Sequence, residues 1–283
     1  MPLMPDPVIR HMTPADVEPA SRAMLLNEFG DRHAHLEFAA SHPGCRSFAA
    51  DSDGAIVGTA IATINGPVGW IGTVWVDSAY RRRGLGMGLT QAAIDAAEAA
   101  GCLTLVLVAT QAGRPLYERI GFTVQSWYRI VEAPGLGPDA GPSDPRIRPF
   151  RSADLTAMSA LDRSATGEDR AHVLEALSTP DSARCLVEPS GAVRAFIVRA
   201  PWGGGATIAP EIDDAMAILH ARRLDHGLGG RVRAGLLTDN EAGLDRLTAD
   251  GWTEAWHAPR LIRGEPLEWD PTAIWGQFNH AMG

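Results

Sequence analysis

The sequence predicts an α+β chain built twice over, each unit a mixed, twisted sheet flanked by helices. Three observations carry this. The apolar strand "VGWIGTVWV" hands over through a glycine-rich turn to an alanine-rich helix, and a second apolar strand, "CLTLVLVA", follows; strand, helix, strand in that order is the centre of a mixed sheet. The segment "EAPGLGPDAGPSDP", Glu132 to Pro145, is rich in Pro and Gly and has no helix or strand period, so residues 134–145 read as a linker between domains 1–133 and 146–283. Finally, "RIRPFRSADL" from Arg146 echoes "VIRHMTPADV" from Val8, and "TDNEAGLDRLTADGW" echoes "TQAGRPLYERIGF". Two echoes in the same order indicate an internal duplication.

Taken in order, the first half opens with a strand near Ile9 and helical stretches over Ala15–Asn27 and His33–Ala40. Strands follow at Arg46–Ala50, Ala55–Ile64 and Trp70–Val76, the last two mixing Val, Ile and Thr in half-buried alternation. After Gly84, Leu85, Leu89, Ala93, Ala96 and Ala100 recur at helical spacing, with Gly101 as the stop. The strand "CLTLVLVA", a short helix over Arg114–Arg119 and a strand from about Phe122 complete the unit.

The 283 residues are 45% hydrophobic and 21% charged, with no apolar run long enough to span a membrane and no charged-then-apolar leader. A water-soluble, cytoplasmic protein is expected. The formal net charge of −9 disfavours nucleic acid as a partner, and all 25 basic residues are arginine. Cys45, Cys102 and Cys185 are too few and too dispersed for a disulfide framework. In "DRHAHLEF", His33 and His35 stand two apart and cannot share a helix face, so with Asp31 they read as a solvated helix start. No metal is expected.

Against this acidic background, "YRRRGLGMG" places Arg81, Arg82 and Arg83 beside Gly84 and Gly86 at the start of a helix. Unpaired N–H groups at a helix N-terminus and the partial positive charge there favour an anion, and glycine lets it approach the backbone. The loop lacks the GK[ST] of a triphosphate site, and its glycines run GxGxG without the acid near Ala109 that a dinucleotide fold needs. What remains is RxxGxG, with "VWVDSAYR" before it and "LYERIGF" after it. This combination resembles the GNAT superfamily of N-acetyltransferases over most of residues 1–133.

The resemblance implies acetyl-CoA as cofactor. The backbone of Val74, Trp75 and Val76 would pair with the pantetheine arm, and Arg81, Arg82, Arg83, Gly84, Leu85, Gly86 and Met87 would hold the pyrophosphate. Thr110 stands where many members have an Asn. It further implies that Tyr117 returns a proton to the departing thiolate. The family often carries a carboxylate base on its fourth strand, but "VGWIGTVWV" has none, leaving Glu28 as a candidate. Trp70 and Trp127 are candidates for the acceptor pocket.

In the second half, Leu247 stands where Tyr117 does, and Asn240 where Thr110 does. Glu211, Asp213 and Asp214 open its central helix, where they would repel a pyrophosphate. The second domain therefore resembles the degenerate half of tandem GNAT proteins and reads as a substrate wall or structural partner. Asp162, Asp169 and Arg170 in "LDRSATGEDR" are its candidates for meeting a polar acceptor. The expected activity is direct acetyl transfer to a primary amine, on a small molecule because a second domain would restrict entry; the alternative is a non-catalytic acyl-CoA sensor or scaffold.

Overall fold

The structure, a computed structural model, describes residues 6–283; Met1 to Pro5 at the start of the first domain lie outside them. The first copy runs β1 (Val8–His11), α1 (Val17–Leu26), α2 (His33–Ser41), β2 (Cys45–Ser52), β3 (Ala55–Asn65), β4 (Val68–Val76), α3 (Leu85–Ala99), β5 (Thr104–Val108), α4 (Arg114–Arg119) and β6 (Thr123–Pro134). Every element expected from the sequence is present in the expected order. On one face of the sheet α3 lays Leu89, Ala93, Ile94 and Ala97 against Ile71, Leu105 and Leu107. Glycine makes that contact close: a Cβ on Gly69 would stand 2.8 Å from the Ala97 methyl. On the other face Met24, Leu36 and Ala39 of α1 and α2 pack on Ile61 and Trp75.

The second copy repeats the succession: β7 (Ile147–Pro149), α5 (Leu155–Thr166), α6 (Ala171–Leu177), β8 (Ala183–Val187), β9 (Val193–Arg199), β10 (Gly205–Ile208), α7 (Ile212–His226), β11 (Arg231–Leu237), α8 (Glu241–Ala249) and β12 (Thr253–Gly264), with β13 (Ile274–Gly276) added. The echoes noticed in sequence are the same device built twice. Arg10 grips Asp16 through two bonds of 2.8 Å, and Arg148 grips Asp154 at 2.8 and 2.7 Å. Each guanidinium holds its carboxyl below the usual carboxylate range. Thr110 Oγ1 accepts from the Gly113 amide at 3.1 Å and Asn240 Oδ1 from the Gly243 amide at 2.9 Å.

The halves do not keep their sheets apart. Strand order in the larger sheet is β1-β2-β3-β4-β5-β12-β6-β11, and in the smaller β13-β10-β9-β8-β7. Thus β12 of the second copy lies between β5 and β6 of the first, from Arg260 beside Val108 to Gly264 beside Thr104. In exchange β6 pairs with β11 along Tyr128 to Pro134. Residues 134–145, which begin with the last residue of β6 and otherwise hold only a 3-10 turn at Pro138–Ala140, divide the chain but not the sheet. The smaller sheet is antiparallel throughout rather than mixed, because β13 takes the edge of β10 and β11 has joined the larger sheet.

Candidate active site

Parallel pairing between β4 and β5 covers only Val68 with Thr104, Gly69 with Leu105 and Trp70 with Val106. Beyond Trp70 the strands part. The cause lies in β4, where Thr73 has a φ of 51° and the register with β3 shifts between Thr59 and Ile61. A β-branched residue in the left-handed region is strained, and such strain gathers at working sites. It is stabilised by a buried contact, Thr73 Oγ1 to His35 Nε2 at 3.0 Å.

Eight residues, Asp77 to Gly84, connect the wide end of β4 to α3. Arg82 at φ 62° and Gly84 at φ 82° both take the left-handed conformation, and such turns present successive N–H groups to one concavity. Gly84 has no side chain to cap α3, and no acid stands in the first turn, which holds Leu85, Gly86 and Met87. A cavity of about 300 Å³ abuts the loop, lined by Ile9, Tyr80, Arg83, Gly84, Leu85 and Gly88 among others. The arginines differ in their employment: Arg81 Nε donates to the Val76 carbonyl at 3.0 Å, Arg83 stands 3.9 Å from Asp6 and over the Tyr80 ring, and Arg82 makes no ion pair among the described residues. Arg81 therefore fixes the loop to the strand, and it engages one of the carbonyls expected to be free for pantetheine.

Tyr117, on the helix after β5, is half-buried with its ring edge against Phe122 at 6.2 Å. Burial pushes its phenol up to about 12. Thr110 caps the start of that helix through its oxygen, which leaves its hydroxyl hydrogen free to donate.

Several side chains expected at the site are placed elsewhere. Val74 and Val76 pack with the α3 core, and the Trp75 ring is buried under α1 and α2, so only its backbone can reach the cleft. Trp70 is buried; its Nε1 donates to Glu168 at 2.9 Å. Asp162 and Arg170 form a bidentate pair of 2.9 and 2.6 Å, with side chains only 1% and 2% exposed, so both are used inside the fold and neither is offered to an acceptor. Asp169 pairs with Arg163 at 2.9 Å. Glu28 is exposed at the turn after α1 and has no ion pair among the described residues. Trp127 is half-buried on β6, 5.8 Å from the His257 ring. His35 is not part of a solvated helix start. It is buried, and desolvation holds its pKa down at about 4.

Glu168, Asn65 and Arg260, which no sequence motif singles out, join Trp70 in a buried cluster. Glu168 accepts from Trp70 and from Asn65 Nδ2 at 2.7 Å, while Arg260 lies over the Trp70 ring at 5.4 Å and that of Trp269 at 4.5 Å. Burial outweighs the nearby guanidinium groups and raises the Glu168 carboxyl above its ordinary range. The available signal was Glu168 standing between the flagged Asp162 and Asp169.

In the second copy the corresponding site is absent. Three residues connect β10 to α7 where eight connect β4 to α3. Asp214 at the head of α7 is engaged by Arg146 at 3.1 Å and Arg194 at 3.7 Å, Leu247 is fully buried, and Asn240 is used as a cap.

A strained bulge in the fourth strand, a splayed strand pair and an uncapped helix start lie together in the first domain. Residues 12–122, the greater part of the first domain, match the acetyltransferase (GNAT) family. The chain is similar to YitH of Bacillus subtilis, an uncharacterised N-acetyltransferase, at 29% identity over 75% of this chain and 76% of that one. Its fold matches a Pyrococcus horikoshii protein with a TM-score of 0.82 at 21% identity, covering 98% and 96% of the two chains. A tandem GNAT protein from the clavulanic acid biosynthesis pathway matches with a TM-score of 0.62 at 14% identity, covering 92% of this chain and 99% of its own.

Proposed function

We propose that the protein transfers acetyl from acetyl-CoA to a primary amine on a small molecule, by direct attack. The supporting observation is convergence: the parted β4 and β5, the uncapped α3 amides with Arg82, and the Tyr117 helix all belong to one stretch of the first domain. Acetyl-CoA supplies an activated acyl group as its thioester. The amides from Arg82 to Met87, in the turn and the start of α3, with the guanidinium groups of Arg82 and Arg83, hold the pyrophosphate, and the backbone of Val74 faces the arm; Thr110 can donate one further hydrogen bond. The amine attacks in its neutral form.

Tyr117 donates its proton to the sulfur that leaves. Its phenol at about 12 is not too weak an acid for this task, because burial moves thiols the same way: Cys45 and Cys102 rise to about 11 inside this fold. A thiolate expelled into that interior is a better-matched proton acceptor than one in water, whose pKa is about 8.5. A second domain over the cleft would restrict entry, which favours a small acceptor over a protein. We place the enzyme in the cytoplasm: its three cysteines are free and buried, and no helix among the described residues is long and apolar enough to cross a membrane.

Thiol release from acetyl-CoA over a panel of aminoglycosides, polyamines, amino acids and peptides tests the reading. Turnover that falls at least 100-fold in Tyr117→Phe, with acetyl-CoA affinity unchanged, is expected. Tight acetyl-CoA binding without turnover of any amine would instead make the protein an acyl-CoA sensor.

A further inference from the structure

The face of the larger sheet opposite α3 carries a strap, residues 278–283, that follows β13. Ala281 lies on β4 so closely that a Cβ on Gly72 would stand 2.2 Å from the Ala281 methyl and 2.7 Å from its carbonyl oxygen. Asn279 Nδ2 donates to His35 Nδ1 at 3.1 Å, which leaves the His35 Nε2 hydrogen for Thr73 Oγ1. Asn65 Nδ2 donates to the Met282 carbonyl at 3.2 Å. His280, between Asn279 and Ala281, reaches the far side: its ring is 5.0 Å from Tyr128 on β6 and 4.9 Å from Trp256 on β12. The strap thus starts near the bulge of β4, reaches over to β6 and β12 through the His280 ring, and returns to β4 and β3 through Ala281, Met282 and Gly283.

One atom in it is unaccounted for. His280 Nε2 is closed off from solvent and has no hydrogen-bond partner in the protein. Burial holds the imidazole down at about 4, so the ring is neutral at pH 7. An orphaned buried polar atom costs about 1–3 kcal/mol, a cost that a water or a ligand donor reaching it would offset. Trp256 beside the ring is 39% exposed, a large apolar side chain left open to solvent at this edge.

We propose that residues 278–283 form the wall of the acceptor pocket and that His280 Nε2 accepts a hydrogen bond from the acceptor's amino group. This rests on the amine-transfer reading above and narrows it. The ring edges of Tyr128 and Trp256 beside His280 fix the imidazole so that its free nitrogen selects a donor. His35 acts on the acceptor only through Thr73 and Asn279 and is a positioning residue.

The test compares full-length wild type with His280→Ala and His280→Gln, measuring acceptor KM, kcat and the calorimetric affinities for acetyl-CoA and for each amine of the panel. In His280→Ala the acceptor KM and the amine Kd are expected to rise about 10-fold or more, as loss of one hydrogen bond to a polar ligand implies, with acetyl-CoA affinity unchanged. His280→Gln, which restores an acceptor atom, recovers part of the loss. An acceptor KM and amine Kd that stay within twofold of wild type in His280→Ala overturn the proposal. Should wild type bind an amine yet acetylate none, the transfer reading falls alone, and the binding comparison still decides the role of His280. A panel that neither binds nor reacts overturns both.

Discussion

Replacing Gly86 with alanine separates stability from cofactor binding. Gly86 lies in the first turn of α3 with no left-handed requirement, and a Cβ there would meet only Val76 Cγ2, at an ordinary 3.7 Å. In the free protein the substitution therefore removes glycine's helix penalty, a gain of about 0.5–1 kcal/mol and a rise in Tm of about 1–3 °C for a chain of this size. The same methyl stands among the amides proposed to hold the pyrophosphate. Excluding one charge-assisted hydrogen bond costs about 1.5–3 kcal/mol, which weakens acetyl-CoA roughly 10- to 150-fold. Calorimetry with acetyl-CoA and a thermal melt of the free protein read both effects. Gly84→Ala, at φ 82° with open space around its Cβ, loses stability instead, by about 1–2 kcal/mol. A Gly86→Ala protein that melts higher and still binds acetyl-CoA as wild type does would refute the placement of the pyrophosphate at this loop.

Asp162→Ala strands Arg170 in the interior and is expected to destabilise by about 3–5 kcal/mol, whereas replacing both by Leu and Met recovers most of that in urea titration; equal losses in both variants contradict the pairing. Stability should fall as pH drops from 6.5 toward 4. His35 binds its proton near 6.5 unfolded and about 4 folded, so the unfolded chain holds the extra proton across that window, a contribution of about 3 kcal/mol at neutral pH. The buried His280 ring titrates over the same window, so His35→Gln reduces the slope by about half in urea titrations at pH 7, 5.5 and 4.5, and an unchanged slope argues against the buried neutral ring of His35. A fragment ending at residue 145 lacks the strand between β5 and β6 and should show no cooperative unfolding by near-ultraviolet dichroism. A fragment that melts cooperatively would count against the exchange of strands.

Most elements of the first copy could be read from the sequence because each is locally consistent: alternating β-branched runs, an Ala-rich helix with glycine stops, and turn residues between them. The glycine-rich turn into α3 was legible for the same reason, since its shape at Arg82 and Gly84 is a property of the local backbone. What failed is long-range. Nothing in "TEAWHAPRLIRG" states which sheet it joins, because its pattern suits either copy equally. Asp162 and Arg170 look like surface charges until the fold shows them facing each other. His35 lies at helical spacing in a polar segment, and only the bulge at Thr73 gives it a partner. The strap 278–283 carries no periodicity, so its docking on Gly72 could not be anticipated.

The exchange of strands also orders events in time. Val108 has its neighbour in Arg260, roughly 150 residues later, and such remote closures come last and slowly. While the ribosome is still making the second half, the first has an open seam between β5 and β6, and the seam closes only when the second copy emerges. That copy is the keystone of its neighbour, whose sheet is continuous only with β12 in place.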